Sequence, residues 1–381
     1  MPDASGFVQD CQKLGMPLQQ NRPLHPLRDG AGRFIIENEN VYNLREAERV
    51  RGTCPMTISD IAKMAGVSPA AVSRYLNQGY ISEEKKEAIR RVIAQTGYTP
   101  SKQAQTLRTK RTKVIGVVIP KIDSESISRI VAGISCELNE AGYQLLLANT
   151  ENNTDQELTY LRTFRQNNVD GIILIATMLT PKHKALLKSL TIPVVVLGQK
   201  TDLASCIYHD DYHAAYDLTK YLIEKGRTHI GYIGVTLKDI AVGTDRRNGF
   251  LDCMKDHNLP VSEEQLAIGA FDMENGYDNA RLIRKKKPET DALLCATDTI
   301  AIGAMKYLHE FGVKIPEEIA VCGFGNGKTA AVVTPSLTTI HYYYRTSGIE
   351  GARMLLEKLQ GKNVPLKTIM LGYEIIEHDS V

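Results

Sequence analysis

From residue 114 onwards, short apolar runs rich in β-branched residues alternate with amphipathic stretches. The runs are VIGVVIP, YQLLLAN, VDGIILIA, PVVVLG, HIGYIG, DALLCAT and IAVCGFG. Continuous apolar runs of this length are typical of strands buried on both faces of a parallel sheet. Stretches such as ISRIVAGISCELNEAG and AAYDLTKYLIEKG separate them with helical periodicity. The pattern predicts a doubly wound α/β fold, long enough for two subdomains.

Residues 57–98 show a different pattern, that of three short helices. Thr57 is the expected N-cap of the first, and Gly66 ends it. Ser68 caps the second, with Pro69 at its first position, where a missing N–H costs nothing. Ser82 caps the third. Two short helices joined by a tight turn containing Gly predict a helix-turn-helix.

Residues 1–55 have no periodicity and are rich in Pro, Gly and polar residues. We expect a poorly ordered extension here, with Met56 as an alternative start of the native chain.

Charge is unevenly distributed along the chain. Residues 56–113 carry 11 Lys and Arg against 4 Asp and Glu, whereas the whole chain has a net charge of only +2. A small basic module joined to a mildly acidic larger one favours a polyanionic partner for the small module.

Composition places the chain among soluble globular proteins. No apolar run reaches the roughly 18 residues of a membrane span, and the N-terminus lacks a signal-peptide pattern. The seven cysteines are scattered, without a C-x-x-C pair, which favours buried free thiols. We therefore expect a cytoplasmic protein without membrane association.

The second helix has the chemistry of a DNA-reading element. A recognition helix inserts its N-terminal end into the major groove, so bulk there must be low. Pro69 and Ala70 keep this end slim, and Ser68, Ser73 and Asn77 can donate hydrogen bonds to phosphates. Arg74 is the side chain that can make a bidentate contact with a guanine edge. The alternative interpretation is a structural helical hairpin, which the basic charge of the module disfavours.

The segments MTISDIAKMAGVSPAAVSRYLNQG and VIAQTGYTPSKQAQTLRTKRTKVIGVVIP resemble the lactose-repressor (LacI/GalR) family of regulators. The resemblance implies a small all-α helix-turn-helix head over 56–100 and a hinge helix or linker over 101–113. It further implies an α/β core like periplasmic binding proteins, made of two doubly wound parallel-sheet subdomains. The N-subdomain would comprise 114–211 plus 343–368, and the C-subdomain 212–342 plus 369–381. Family members usually act as homodimers on palindromic operator DNA.

The same resemblance assigns roles in DNA binding. Leu107 matches the leucine that wedges between base pairs in the minor groove, with Ala104 beside it. Together with Thr57 and the recognition-helix residues, these complete the expected DNA-binding set. Ala71 and Tyr75 replace a Thr and a Val that are usual in the family.

Effector-binding roles are also implied by the resemblance. Arg246 and Asp298 match effector-binding positions, and Phe271 lies where an aromatic ring stacks on a sugar. The segment after the first core strand adds Lys121, Asp123 and Ser124. From the residues alone, a surface ion pair explains Arg246 as well as effector binding does, and helix capping explains Asp298 equally well.

Within the family, YHDDYHAA, VTLKDIAVGTDRRNGF and ALLCATDTIAIGAMKYL most resemble trehalose operon repressors, which respond to trehalose 6-phosphate. Sucrose operon regulators are the alternative. We expect Lys121, Arg246 and Arg247 to hold the phosphate, because a dianion needs several basic groups.

Several motifs suggest other functions but do not fit them. GFGNGKT is one residue short of a P-loop, so ATP binding is rejected. Many family members have Asp where Gly325 stands in this loop. The histidines of HDDYH are expected to straddle a strand–helix junction, and HYYYR to pack at a subdomain crossing. The sequence contains no recognisable cofactor, metal or catalytic set. A sugar-binding protein without DNA function and a sugar kinase remain alternatives from other classes.

Overall fold

The computed structural model describes residues 56–77, 79–99, 111–167, 169–361 and 364–381, with a short strand pair in the N-terminal stretch. That pair joins β1 (Leu27–Arg28) and β2 (Phe34–Ile35) in antiparallel register. The chain divides into two compact units, residues 1–100 and residues 101–381. The expectation for the rest of residues 1–55 lies outside the described residues.

The first unit contains the three predicted helices, which are α1 (Ile58–Met64), α2 (Pro69–Leu76) and α3 (Glu83–Thr96). Their apolar faces meet in a small core of Ile61, Ala62, Val72, Ile89 and Val92. Thr57 caps α1, Ser68 caps α2, and Gly97 ends α3 in the left-handed conformation at φ 63°. Ser82 occupies the N-cap of α3 without a side-chain hydrogen bond to the helix.

The second unit begins with an N-subdomain built on one sheet. Its strands are β3 (Val114–Ile119), β4 (Gln144–Asn149), β5 (Gly171–Ile175), β6 (Val194–Leu197), β7 (Ser205–His209) and β13 (Thr368–Leu371). Its helices are α4 (Glu125–Glu140), α5 (Thr154–Gln166), α6 (Pro181–Ser189) and α12 (Tyr344–Leu359). The strand order is β4-β3-β5-β6-β7-β13, and all neighbours run parallel.

The C-subdomain repeats this plan. Its strands are β8 (Ile230–Val235), β9 (Leu266–Gly269), β10 (Ala292–Cys295), β11 (Ala320–Phe324), β12 (Thr338–Tyr342) and β14 (Tyr373–Ile376). Its helices are α7 (Asp211–Glu224), α8 (Arg246–Asp256), α9 (Met273–Lys286), α10 (Asp298–Glu310) and α11 (Lys328–Val332), with a π-helical turn over Ile240–Asp245 and a 3-10 turn over Glu263–Gln265. The strand order is β9-β8-β10-β11-β12-β14, and the edge strand β14 alone pairs antiparallel. The antiparallel edge is a departure from the expected all-parallel sheet.

The chain crosses between subdomains three times. The first two crossings lie at 209–211 and 342–344, beside the predicted boundaries at 211 and 342. The third lies between Leu371 and Tyr373, so the predicted boundary at 368 is too early. Residues 368–371 form β13, which pairs with β7 and therefore belongs to the N-subdomain. A single residue, Gly372, separates β13 from β14, so the chain passes directly from one sheet into the other.

Buried apolar side chains support both sheets. Two clusters flank the N-subdomain sheet, and one large cluster fills the C-subdomain. The thiols of Cys206, Cys253, Cys295 and Cys322 are free and buried, as the cysteine pattern predicts. In the described part of the chain, no helix has the length and apolar character needed to cross a bilayer.

Helix pairs cover the sheets at close range because glycines lie where the helices touch. A Cβ at Gly348 of α12 would lie 2.0 Å from the carbonyl oxygen of Ile130 in α4, and one at Gly133 would lie 2.2 Å from that of Arg345. Gly276 and Gly303 form the same reciprocal contact between α9 and α10. These backbone contacts leave no room for a methyl group.

We expect Gly348→Ala to lower the free energy of unfolding by about 1–3 kcal/mol, because the helices must separate to admit the methyl group. This loss outweighs the roughly 1 kcal/mol by which Ala favours a helix over Gly. Denaturant unfolding followed by circular dichroism measures the change. Gly372→Ala is the control, since no atom lies within 4 Å of its added Cβ. Equal stability of the two variants would contradict the interpretation.

Candidate nucleic-acid interface and ligand cleft

The first turn of α1 is fixed by a reciprocal capping box. The Thr57 backbone N–H and hydroxyl donate to the Asp60 carboxylate at 2.9 and 2.7 Å, and the hydroxyl oxygen accepts from the Asp60 N–H at 3.3 Å. Hydrogen bonds from the Thr57 backbone and side chain lower the pKa of Asp60. Thr57 is exposed, so its side chain both caps α1 and borders the surface of the head.

The predicted reading residues of α2 lie on its outer side. Ser68, Pro69, Ala70, Arg74 and Asn77 are exposed, and Ser73 is half-buried. The Ser68 hydroxyl accepts from the Ala71 N–H at 3.3 Å, which fixes the leading end of the helix. The Asn77 amide donates to the Ser73 carbonyl. This arrangement presents a slim helix end with one long cation, Arg74, as a major-groove element requires.

The two departures from the family pattern fall on the inner side of α2. Ala71 is 6% exposed, and Tyr75, one turn later, packs partly against the head core. The two other expected DNA-binding residues, Ala104 and Leu107, lie outside the described residues.

In the second unit, the carboxyl ends of the two sheets face each other across a cleft. Residues that follow strands of one sheet contact residues that follow strands of the other. Gln199, after β6, donates through Nε2 to Asp239 Oδ1, after β8, at 2.9 Å. Ligands of doubly wound folds bind at this edge of the sheet. The cleft is therefore the candidate ligand site.

A second set of contacts closes the cleft through α4. The Glu125 carboxylate accepts from the Lys328 N–H at 2.8 and 3.0 Å. One helical turn later, Arg129 donates to the carbonyls of Gly325 and Asn326 at 3.0 and 3.1 Å. The loop after β11 is thus held by Glu125 and Arg129 of α4, and these contacts join the two subdomains across the cleft.

Arg246 lies deep in the C-subdomain wall and is 4% exposed. Its Nε and Nη2 lie 2.7 and 2.6 Å from Asp211 Oδ1, and Nη1 donates to the Ala296 carbonyl. Tyr342 donates its hydroxyl to the same Asp211 oxygen at 2.9 Å. The guanidinium also lies over the rings of Phe324 and Tyr342, at 4.6 and 5.1 Å from their centroids.

The charge state of this pair follows from its geometry. Burial, the largest single effect, lowers the pKa of Arg246, but the Asp211 carboxylate together with Tyr342 and Tyr344 raises it above the ordinary value. The guanidinium is therefore charged and paired. Of the two sequence interpretations of Arg246, the surface ion pair is wrong because the pair is buried.

Asp298 is the first residue of α10, and Thr297 rather than Asp298 is its N-cap. The Asp298 carboxylate accepts from the Thr339 hydroxyl at 2.5 Å and from the Gly327 N–H at 3.0 Å. Burial raises its pKa, and these two hydrogen bonds oppose the rise. Gly325 has φ +144°, and its added Cβ would lie 3.0 Å from Asp298 Oδ2. Asp298 thus lies beside the position where many family members have an Asp.

The remaining predicted effector residues are spread around the cleft. Lys121 pairs with Asp123 at 3.5 Å, and Ser124 caps α4, with its hydroxyl 2.9 Å from that of Ser126. Phe271 is half-buried and packs on the C-subdomain core. Arg247 is half-buried on α8. Lys121 and Arg246 are each paired with a carboxylate, and the convergence of Lys121, Arg246 and Arg247 on one phosphate stays a prediction.

Sequence reasoning missed the partners that organise the cleft. The aspartates of HDDYH carry no sequence signal of their separate roles: Asp210 is the N-cap of α7 and accepts from the His213 N–H at 3.3 Å, whereas Asp211 pairs with Arg246. The tyrosines of HYYYR were assigned to crossing contacts, which is confirmed, but Tyr342 also holds Asp211. Gln199 and Asp239 carry no sequence signal, because their pairing joins residues from different subdomains.

His209 lies at the start of the first crossing and packs against two tyrosine rings. Its ring lies 4.8 Å from that of Tyr342 and 5.2 Å from that of Tyr344. Burial lowers its pKa to about 4, so the ring is neutral near pH 7. His209 ends β7 and His213 lies in α7, so the histidine pair straddles the junction as predicted. Among the described residues, no group of three or more metal-ligating side chains is placed to hold a metal ion.

Comparison with known proteins agrees with this geometry. Residues 57–101 match the family model described as bacterial regulatory proteins, lacI family. Residues 112–370 match the model for periplasmic binding proteins and the sugar-binding domain of the LacI family. The sucrose operon repressor of Staphylococcus xylosus is 33% identical over 313 residues, which cover 82% of this chain and 97% of the relative. The transcriptional repressor PurR of Photorhabdus laumondii is 32% identical, over 85% of this chain and 96% of the relative.

Solved structures share the fold. A lac repressor dimer bound to operator and an anti-inducer superposes with a TM-score of 0.78 at 22% identity, covering 86% of this chain and 99% of the other. A complex of the regulator CelR with cellobiose has a TM-score of 0.66 at 24% identity, covering 86% and 100%.

Asp239 makes the stability of the fold dependent on pH. Burial raises its pKa from 3.8 to about 6, against hydrogen bonds from Val242 and Gln199. A raised folded-state pKa means that this group stabilises the fold most below about pH 4 and that this stabilisation is lost as pH rises through 6. The stabilisation lost over this pH range is on the order of 3 kcal/mol.

Asp239→Asn keeps the Oδ1 acceptor that both hydrogen bonds use. We expect the variant to have a higher Tm than the wild type at pH 7.5, with the difference shrinking towards pH 4.5. Thermal unfolding across this range measures it. Asp278→Asn, at an exposed carboxylate paired with Arg281, controls for the change in net charge. A difference in Tm that does not vary with pH would contradict the prediction.

Proposed function

Because the chain belongs to the LacI family of bacterial regulatory proteins, we propose that α2 reads an operator and that a sugar bound in the core cleft controls this binding. The chain is a DNA-binding transcriptional repressor of that family and not an enzyme. The observation that carries the proposal is the combination, in one chain, of an exposed reading helix and a two-subdomain cleft with buried charge at its base. The protein acts in the cytoplasm, as a homodimer on a palindromic site.

In this proposal, phosphate contacts position the head and Arg74 reads sequence. Ser68, Ser73 and Asn77 contact the DNA backbone, with Thr57 beside them, whereas Arg74 makes a bidentate contact to a guanine edge. The slim end formed by Pro69 and Ala70 admits the helix to the groove. In the minor groove, Leu107 inserts at the centre of the site with Ala104 beside it.

The effector is a disaccharide or its 6-phosphate. The resemblance of three core segments to trehalose operon repressors favours trehalose 6-phosphate, held by Lys121, Arg246 and Arg247. Asp123, Ser124, Asp298 and Phe271 complete the site in this proposal. Binding shifts the relative angle of the subdomains and thereby operator affinity.

A neutral disaccharide such as sucrose is the second candidate. Two observations favour it. Asp211 neutralises the charge of Arg246, and Asp123 pairs with Lys121, so less positive charge is available for a phosphate. In addition, a relative that this chain matches over 97% of the relative's length is a sucrose operon repressor.

A thermal-shift panel separates the two candidates. If trehalose 6-phosphate is the effector, we expect this sugar phosphate to raise Tm at concentrations at least tenfold lower than those that trehalose, sucrose or cellobiose require. The reason is that its phosphate adds charge-assisted hydrogen bonds. Arg247→Gln should reduce that preference without changing the response to neutral sugars. Arg281→Gln, on the exposed surface of α9, is the matched control. Stronger stabilisation by sucrose than by trehalose 6-phosphate would favour the second candidate.

Arg74 provides the test of DNA reading. The wild-type chain first enriches a duplex from a randomised library, and the variants are then measured on that duplex. We expect Arg74→Ala to weaken binding by about 1–3 kcal/mol and to relax the preference at one base pair. Arg90→Ala removes an arginine of the same head that is paired with Glu87 on α3, and it should leave sequence preference unchanged. Equal loss of base preference in both variants would remove Arg74 from the reading role.

A further inference from the structure

The Asp170 carboxylate, just before β5, holds the first described residues of the second unit. Its Oδ1 accepts from the Thr112 N–H at 2.8 Å and from the Thr112 hydroxyl at 2.9 Å, and its Oδ2 accepts from the Lys113 N–H at 3.0 Å. One side chain therefore fixes two consecutive backbone amides. Hydrogen bonds to a carboxylate are roughly twice as strong as those between neutral groups.

The backbone at Lys113 is fixed from several other directions. Its carbonyl accepts from the Gln144 N–H at 2.8 Å, and its Nζ lies 4.1 Å from the centre of the Tyr143 ring. Lys113 has φ +58°, a conformation that a non-glycine residue adopts only when its surroundings impose it. The start of the core is therefore a rigid, specified turn rather than a loose linker end.

The position of this turn in the chain gives it a role. Residues 100–110 connect it to the head, and this is the covalent path between α2 and the N-subdomain. The direction in which that path leaves the N-subdomain is set at Thr112 and Lys113. We infer that Asp170 is a positioning residue for DNA-binding control: by clamping Thr112 and Lys113 it ties the linker to the N-subdomain, so that changes in the core reach the head. This inference rests on the proposed function.

The C-subdomain contains a matched control, a second aspartate that accepts hydrogen bonds from two consecutive backbone amides. Asp291, just before β10, accepts from the Thr228 N–H at 2.9 Å and from the His229 N–H at 3.0 Å. It clamps the two residues before β8 as Asp170 clamps the two before β3. The chain preceding Thr228 comes from α7 of the same subdomain, so this clamp has no path to the head.

Asn replaces Asp170 or Asp291 without a change in size. It removes the negative charge and turns one oxygen into an NH2 group, which then faces a backbone donor. Each variant therefore loses part of its clamp in the same way. Thr112→Val is a milder variant, because it removes the hydroxyl contact to Asp170 while both amide contacts remain.

The first measurement tests the clamp itself by hydrogen exchange on the full chain. The amides of Thr112 and Lys113 should exchange at least tenfold faster in Asp170→Asn than in the wild type. Those of Thr228 and His229 should do the same in Asp291→Asn. Unchanged exchange at Thr112 and Lys113 would overturn the inference, because the contacts would not hold the turn.

The second measurement tests the role in control, with the duplex enriched by the wild-type chain and the most stabilising sugar of the panel. In Asp170→Asn we expect the sugar-induced change in duplex Kd to shrink at least fivefold, and in Thr112→Val about twofold. The sugar Kd itself should stay within twofold of wild type. In Asp291→Asn the duplex Kd and its sugar response should both stay within twofold.

Equal effects of Asp170→Asn and Asp291→Asn on the DNA response would overturn the inference, since both clamps would then act through general stability. An unchanged response in Asp170→Asn would do so as well. If the wild-type chain enriched no duplex, the proposed function would fail first, and the inference would fall with it. The wild-type result thus separates the two failures.

Discussion

The buried ion pair between Arg246 and Asp211 is the constraint on which the rest of the cleft depends. A guanidinium that is 4% exposed has lost nearly all its hydration, and only a close carboxylate with good hydrogen-bond geometry offsets that loss. Asp211 begins the helix after the first crossing, and Tyr342 ends the strand before the second. The pair, together with Tyr342, therefore ties together the first two of the three crossings. Removing either partner would leave an uncompensated charge at this junction, so the charge balance and the hinge geometry are specified together.

Closure of the cleft is held by a small number of polar contacts on either side of this pair. Gln199 bridges to Asp239 on one side, and Glu125 and Arg129 hold the loop after β11 on the other. Hydrogen bonds of these kinds contribute about 1–3 kcal/mol each. Contacts of this number and strength amount to a few kcal/mol, which is the range in which differential ligand binding shifts a two-state equilibrium. A sugar that satisfied Asp239 or Arg129 in another geometry would change the population of the closed form.

Six of the seven apolar runs became strands buried along most of their length, β3, β5, β6, β8, β10 and β11, because strands covered on both faces leave an unbroken apolar signal. The seventh run became the partly exposed edge strand β4, whereas the buried strands β7 and β12 contain polar residues and gave no such run. The edge strands β9, β13 and β14 did not stand out, since half of β13 is exposed and its pairing is set by residues far away in the chain. The same limit applied to the site. Arg246 and Asp298 were identified, but their partners Asp211 and Thr339 lie 35 and 41 residues away, and only the folded chain brings them together.

The two clamps at the starts of β3 and β8 show how a repeated fold acquires distinct roles. Both subdomains have the same strand order, and in each an aspartate just before the third strand in that order, β5 or β10, holds the two residues before the second, β3 or β8. The physical chemistry is the same, but the connections differ. The chain before β8 comes from within its own subdomain, whereas the chain before β3 comes from the head. In the inference argued above, the linker is tied to the N-subdomain, and the buried pair lies at the crossings that join this subdomain to the C-subdomain. A ligand that changed the contacts at those crossings would therefore act on the subdomain that holds the linker.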